Sequence, residues 1–230
     1  MNDVRLLILG DSITAGCVET GVPPQNSYPS LLRDAFNRES PDVTVIVSAL
    51  HGVYVDYVLR RFDRMVLRHQ PDNVLIFLGA NDAGATETRP AISPDQFAAD
   101  LVSLVSRCRE NDISPVIASP IPCAMDRCLH PMNQYADASR DTARRCKAGF
   151  VDLFQCVRTI WRSRPTSGRP ASKPTWQYGD CENAGHCAES ADRPFRVQRL
   201  VNPATVVHVF ASTNSPTGGS CCVSVVGWSG

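Results

Sequence analysis

The sequence has 230 residues, 43% of them hydrophobic, which is enough for one folded domain with a buried core. Its 23 basic and 23 acidic residues give no net charge, so nothing indicates binding to nucleic acid or to an anionic membrane surface. Every apolar run is far shorter than the roughly 20 residues that a transmembrane helix needs. The first residues do not resemble a signal peptide, and we therefore expect a cytoplasmic location.

Ten cysteines are many for this length, but their spacing is irregular and no export signal accompanies them. Because disulfides form mainly in oxidising compartments, we expect free thiols. The ten are Cys17, Cys108, Cys123, Cys128, Cys146, Cys156, Cys181, Cys187, Cys221 and Cys222.

Five short apolar runs predict strands that are buried on both faces of a parallel sheet. They cover residues 4–9, 43–47, 74–78, 115–118 and 150–153. The first three intervening segments have apolar residues at helical spacing, which predicts helices with one apolar face. These residues are Tyr28, Leu31, Leu32, Ala35 and Phe36 in the first segment, Val55, Val58, Leu59, Phe62, Met65 and Val66 in the second, and Phe97, Leu101, Leu104, Val105 and Cys108 in the third.

Two further signals locate helix ends. Ser93-Pro94-Asp95-Gln96 reads as a capping box with proline at the first helical position. A more polar helix is predicted at about 132–147, where Arg144 and Arg145 lie near a helix C-terminus, which favours basic residues. The alternation of strands and helices predicts an α/β fold with helices on both faces of about five parallel strands. In such sheets ligands bind beyond the carboxyl ends of the strands.

The composition changes near residue 160. The last 70 residues contain one leucine, no isoleucine and many Pro, Gly and Ser residues, and their net charge is +3. We therefore predict a domain over 1–160 and an atypical, poorly ordered tail over 161–230. A divergent terminus, a splice product or a shifted reading frame would each explain this change.

Polar motifs follow the first three predicted strands. They are Gly10-Asp11-Ser12-Ile13-Thr14, Ser48-Ala49-Leu50-His51-Gly52 and Gly79-Ala80-Asn81-Asp82. A serine at a strand end can act as an acyl-transfer nucleophile, while a glycine N–H and an asparagine amide can stabilise an oxyanion. Taken singly, Ser12 also fits a helix cap, Gly52 a plain turn, and Asn81-Asp82 a turn or cap. The combination favours a catalytic site.

The three motifs resemble the nucleophile, glycine and Gly-x-Asn-Asp blocks of the GDSL or SGNH hydrolases, a family of serine esterases and lipases. The resemblance covers about 1–160 and implies a flavodoxin-like three-layer sandwich. It also implies that Ser12 is the nucleophile and that the backbone N–H groups of Ser12 and Gly52, with the Asn81 side chain, form the oxyanion hole. No metal or cofactor is implied.

The family's fourth block, Asp-x-x-His, supplies the general base and the residue that orients it, and this sequence contains no such motif. Five histidines are alternatives. His186 lies about where the block is expected, with Asp180 six residues before it, and His130 follows the fourth strand. His51 adjoins Gly52, His69 fits a surface helix end, and His208 fits a short strand. The general base is therefore unassigned, with His186 and Asp180 as one candidate pair.

Three functions fit these features. The first is a serine esterase acting on a small-molecule acyl ester, and the second is a catalytically impaired relative that binds an ester or carbohydrate without turnover. A third is a metal site in the tail, which would use Cys181, His186, Cys187, Cys221 and Cys222. Structural zinc ligands normally come in pairs two to four residues apart, which the spacing of Cys181 and Cys187 does not match, so we predict no metal. The sequence does not indicate an oligomeric state.

Overall fold

A computed structural model describes residues 4–16, 27–85, 89–122 and 131–163, together with 197–198, 208–211 and 221–224. Its central element is a sheet of five parallel strands in the order β2-β1-β3-β4-β5. The strands are Val4–Gly10 (β1), Val43–Ala49 (β2), Asn73–Phe77 (β3), Ser114–Ala118 (β4) and Gly149–Val151 (β5). This is the strand order of flavodoxin-like folds. The predicted five-stranded α/β sheet is confirmed.

Helices cover both faces of this sheet. They are Ser12–Ala15 (α1), Tyr28–Glu39 (α2), Val55–Arg60 (α3), Phe62–Met65 (α4), Ala80–Ala83 (α5), Pro94–Arg109 (α6), Met132–Cys146 (α7) and Leu153–Ser163 (α8). Alternate residues of β1 point to opposite faces, so Leu7 and Leu9 join the core under α3, α4, α6 and α7. Leu6 and Ile8 pack with α2 on the other face. The result is three layers.

The segment predicted as one long helix from Val55 to Val66 consists of several shorter pieces. Arg61, with φ −120° and ψ 25°, separates α3 from α4, and Leu67–His69 then form a 3₁₀ helix. The apolar residues of this segment nevertheless all face the core. Their spacing predicts which side of the segment is buried, but it does not predict whether the helix is continuous.

The predicted start of α6 is confirmed in part. The Ser93 hydroxyl accepts a hydrogen bond from the Gln96 backbone N–H at 3.2 Å, as an N-cap residue does. The Gln96 side chain does not complete a capping box, because its amide donates to Asp100 at 2.8 Å along the helix. The polar helix predicted at 132–147 is also present, and it buries Tyr135 completely against the core.

Helix α8 begins at Leu153, two residues after the end of β5, so the predicted strand 150–153 overlaps the start of this helix. The Asp152 carboxylate accepts the Gln155 N–H at 3.0 Å, which ends the strand and starts the helix. Because α8 extends to Ser163, it crosses the compositional change near 160. Beyond it, Val197–Gln198 (β6), His208–Ala211 (β7) and Cys221–Ser224 (β8) form an antiparallel sheet. The domain division at 160 stays a prediction.

Within the described part of the chain, no helix is long and apolar enough to cross a membrane. Among the cysteines in the described part of the chain, Cys108 and Cys146 are free thiols.

Candidate active site

The three motif-bearing segments leave the sheet next to one another. Strand β1 lies between β2 and β3, with Gly10 paired in register to Ala49 on one side and to Phe77 on the other. Neighbouring strands are about 5 Å apart, so the segments after these residues begin side by side. The Leu50 N–H donates to the Gly10 carbonyl at 3.3 Å, which continues the contact past the strand ends. This edge is the switch point of the sheet, where ligands bind in such folds.

Ser12 is the first residue of α1, immediately after β1. The N-cap residue is Asp11, whose carboxylate accepts the Ile13 N–H at 2.9 Å. The N-cap of α1 is therefore Asp11. The alternative interpretation, in which Ser12 is the cap of this helix, does not describe the structure. Ser12 as a whole is almost fully buried, with 4% of the residue's surface exposed.

The turn from β1 to Ser12 requires glycine at position 10. A Cβ atom there would lie 1.9 Å from the Thr14 Oγ1 atom and 2.5 Å from the Thr14 Cβ atom. The hydroxyl of Thr14 is in turn held by a 2.7 Å hydrogen bond with the Tyr28 hydroxyl. Close packing thus holds the short helix that carries Ser12 against the end of β1.

Asp11 is a buried carboxyl group next to the candidate nucleophile. Burial raises its pKa to about 6, while the hydrogen bond from the Ile13 N–H and the nearby His51 imidazole each lower it. His51 directly follows Leu50, whose N–H donates to the Gly10 carbonyl, and therefore lies at the same edge of the sheet as Ser12.

The segment after β2 carries Leu50, His51 and Gly52 on the surface. Gly52 has φ +69°, a left-handed conformation that L side chains rarely adopt, and a Cβ atom built on it would meet nothing within 4 Å. Glycine is therefore favoured here by backbone conformation rather than by lack of space. Leu50, with 40% of its surface exposed, is the large hydrophobic residue most open to solvent in the described chain.

Asn81 links the segment after β3 to the segment after β2. It lies in α5, half-buried, and its side-chain amide nitrogen donates to the carbonyl oxygen of Val53 at 2.9 Å. Val53 directly follows Gly52, so the structure places Asn81 beside the loop that carries that glycine.

Asp82 makes a second contact between the same two segments. Its Oδ1 atom accepts the Val55 backbone N–H at 3.1 Å, and the residue is completely buried. Burial raises the pKa of Asp82 to about 7, while the Val55 N–H and the Arg89 guanidinium lower it and Asp56 raises it. Its Oδ2 atom is buried without a hydrogen-bond partner among the described residues.

Arg89 makes contacts with both the segment after β2 and the segment after β3. Its guanidinium carbon lies 3.4 Å from the centre of the Tyr54 ring, and its Nη2 atom is 3.6 Å from an Asp56 carboxylate oxygen. Its Nη1 atom donates to the backbone carbonyl of Asn81 at 3.4 Å. Asp82 was predicted only as part of the Gly-x-Asn-Asp block or of a turn or cap, and nothing in the sequence around Arg89 indicates these contacts.

Three of the candidate bases lie in the described part of the chain. His69 ends the 3₁₀ helix that precedes β3, close to Arg5 and Arg68, and therefore lies at the amino edge of the sheet, opposite Ser12. This position rules it out as the base. His51 lies at the correct edge. His208 is in β7.

The remaining candidates, His130, His186 and Asp180, lie outside the described residues. The same holds for Cys181 and Cys187 of the tail. In the parts of the chain that the structure describes, no group of three or more His, Cys, Asp or Glu side chains is arranged to hold a metal ion.

Comparison with known proteins identifies the family. Residues 8–180 match the model of the GDSL-like lipase/acylhydrolase family. The chain belongs to this family. The match covers all three motifs and extends beyond the compositional change near 160, so the predicted resemblance is confirmed.

Two curated relatives of this GDSL-like chain are esterases by name. An arylesterase from Vibrio mimicus is 45% identical over 78 residues, which are 34% of this chain and 38% of that protein. An isoamyl acetate-hydrolyzing esterase from Schizosaccharomyces pombe is 30% identical over 170 residues, covering 70% of this chain and 63% of that one. The chain thus spans less than two thirds of the length of either relative.

Solved structures support the fold. A lipase/acylhydrolase from Enterococcus faecalis superposes with a TM-score of 0.58 at 23% identity, covering 80% of this chain and 92% of that one. A catalytic mutant of the acetylxylan esterase Axe2 from Geobacillus stearothermophilus gives a TM-score of 0.58 at 19% identity, covering 86% of this chain and 100% of that one. Both confirm a three-layer α/β architecture for this GDSL-like protein.

Proposed function

We propose that this protein is a carboxylic ester hydrolase that cleaves small acyl esters through an acyl-enzyme on Ser12. The observation that carries the proposal is the placement of Ser12 at the start of α1, capped by Asp11, beside the linked segments of Gly52 and Asn81. Family membership and the esterase relatives support the same reaction.

In this mechanism the Ser12 Oγ atom attacks the ester carbonyl carbon while a general base takes its proton. The carbonyl oxygen becomes an oxyanion, stabilised by the backbone N–H groups of Ser12 and Gly52 and by the amide of Asn81. An amide nitrogen carries two N–H groups, so its hydrogen bond to Val53 leaves Asn81 a second N–H for the oxyanion.

The oxyanion then collapses, the ester C–O bond breaks and the alcohol leaves with the proton from the base. Water then adds to the acyl group on Ser12 while the same base takes a water proton; the base returns this proton to the Ser12 Oγ atom as its bond to the acyl group breaks, and the carboxylic acid is released. No step requires a metal or cofactor. We propose that the base is a histidine: His186 with Asp180 is one candidate, and His51, at the same edge of the sheet as Ser12, is another.

The test is hydrolysis of p-nitrophenyl acetate and butyrate by the full chain and by four variants: Ser12→Ala, His186→Ala, His51→Ala and His69→Ala. Loss of a nucleophile or base in serine hydrolases lowers kcat by roughly 10⁴- to 10⁶-fold, so Ser12→Ala and one histidine variant should fall to background. His69→Ala is the control, because His69 lies at the opposite edge of the sheet.

Loss with His186→Ala assigns the base to the tail, whereas loss with His51→Ala assigns it to the segment after β2. Turnover that survives Ser12→Ala would overturn the proposed nucleophile. A folded wild-type chain without turnover would overturn the proposed reaction in favour of the binding-only alternative.

A further inference from the structure

The segments after β2 and β3 are joined by two hydrogen bonds from neighbouring residues. Asn81 donates to the Val53 carbonyl at 2.9 Å, and Asp82 accepts the Val55 N–H at 3.1 Å. The Val53 carbonyl and the Val55 N–H are therefore both hydrogen-bonded to the segment after β3, in the pattern of a short β-ladder. These bonds fix the orientation of the backbone that directly follows Gly52.

A buried carboxyl group such as Asp82 is a costly way to make a purely structural contact. It is fully buried, and one carboxylate oxygen has no hydrogen-bond partner among the described residues. A buried, incompletely paired carboxyl group destabilises the folded state. The nearby Arg89 guanidinium, which pairs with Asp56 at 3.6 Å and stacks on Tyr54, favours the charged form of Asp82 and so lowers its pKa, whereas Asp56 raises it.

We propose that Asp82 is a positioning residue of the oxyanion hole, which holds the Gly52 N–H and the Asn81 amide in the geometry that the transition state requires. The inference rests on the proposed ester hydrolysis. Asp82 does not touch the substrate in this role; it acts through Val55 on the loop and through the chain on Asn81. Because the oxyanion forms only in the transition state, a displaced loop should lower kcat and leave KM nearly unchanged.

The experiment compares kcat and KM for p-nitrophenyl acetate in the full-length wild type and in Asp82→Ala, Asp82→Asn and Asp72→Ala. Asp82→Ala removes the acceptor of the Val55 N–H, and we expect kcat to fall about 10- to 100-fold with KM within about twofold, as for a displacement of the order of 1 Å. Asp82→Asn keeps an acceptor oxygen and should retain kcat within about threefold.

Asp72→Ala is the control at the other edge of the sheet, at an exposed residue. Its carboxylate also accepts a single backbone N–H from a neighbouring strand, that of Arg5 at 2.7 Å, but at the amino edge of the sheet. We expect its kcat and KM to match the wild type. Equal losses of kcat in Asp82→Ala and Asp72→Ala would show a general structural effect and overturn the positioning role.

A second variant keeps the test decisive if Asp82→Ala does not fold. Val55→Pro removes the donor of the same hydrogen bond, and proline is tolerated at Val55 because this is the first residue of α3. The preceding residue, Tyr54, already has the extended backbone that proline requires, with φ −133° and ψ 169°. The same selective loss of kcat is expected.

Unchanged kcat in a folded Asp82→Ala or Val55→Pro variant would overturn the inference. A loss in Asp82→Asn as large as in Asp82→Ala would also overturn it, because the hydrogen bond would then not be what matters. Absence of turnover by the wild type would instead overturn the proposed function on which the inference rests, so the two failures are distinguishable.

Discussion

Gly10 and Thr14 are packed so closely that a Cβ atom on Gly10 would lie 1.9 Å from the Thr14 Oγ1 atom. We therefore expect Gly10→Ala to destabilise the fold by about 2 kcal/mol or more, since overpacking a buried site costs roughly 1–3 kcal/mol. Urea unfolding of the single variants and of Gly10→Ala/Thr14→Gly measures this. The double variant should recover part of the loss, because the clashing atoms are gone; purely additive losses would contradict the close contact.

The hydrogen bond between the Thr14 and Tyr28 hydroxyls, 2.7 Å long, ties α1 to α2. Tyr28→Phe removes one partner but keeps the edge-on contact of the ring with Phe77, whose centre is 5.8 Å away. We expect a loss of about 1 kcal/mol in the free energy of unfolding. A double-mutant cycle with Thr14→Val should give a coupling energy of similar size, and a coupling near zero would show that the bond contributes nothing.

The pKa of Asp82, raised from 3.8 to about 7 by burial, links stability to pH. A carboxyl group whose pKa is raised by folding contributes stability that is complete below about pH 3.8 and is lost as the pH rises through 7. Asp82→Asn cannot ionise. Its free energy of unfolding relative to the wild type should therefore increase between pH 4 and pH 8, by roughly 4 kcal/mol.

Asp11→Asn provides an internal comparison for this pH effect. Burial raises the pKa of Asp11 to about 6. The stability of Asp11→Asn relative to the wild type should therefore stop increasing at a lower pH than the stability of Asp82→Asn does. Denaturant titrations at several pH values measure both variants. A difference from the wild type that stays constant from pH 4 to pH 8 would contradict the raised pKa of the group concerned.

The N-cap of α6 offers a test of a contact that the sequence alone predicted. Ser93→Ala removes the acceptor of the Gln96 N–H, and we expect a loss of about 1 kcal/mol in the free energy of unfolding. Ser103→Ala is the matched control, because Ser103 is exposed within the same helix and alanine is the better helix former. Equal losses in the two variants would mean that capping is not the cause.

The sequence by itself determined the strands of the central sheet, the start of α6 and the family. The apolar runs predicted all five strands to within a few residues, because a strand buried on both faces must be continuously apolar. Ser93 predicted the start of α6, since capping depends on a contact within one turn of chain. The three polar motifs at strand ends were sufficient to indicate the family, and the match over residues 8–180 confirms it.

Only the tertiary structure decided how the segments at the strand ends contact one another. The bonds of Asn81 to Val53 and of Asp82 to Val55 join residues 28 and 27 positions apart, and they exist because β1 lies between β2 and β3 in the sheet. Hydrophobic periodicity specifies which face of an element is buried, but not which strands are neighbours in the sheet.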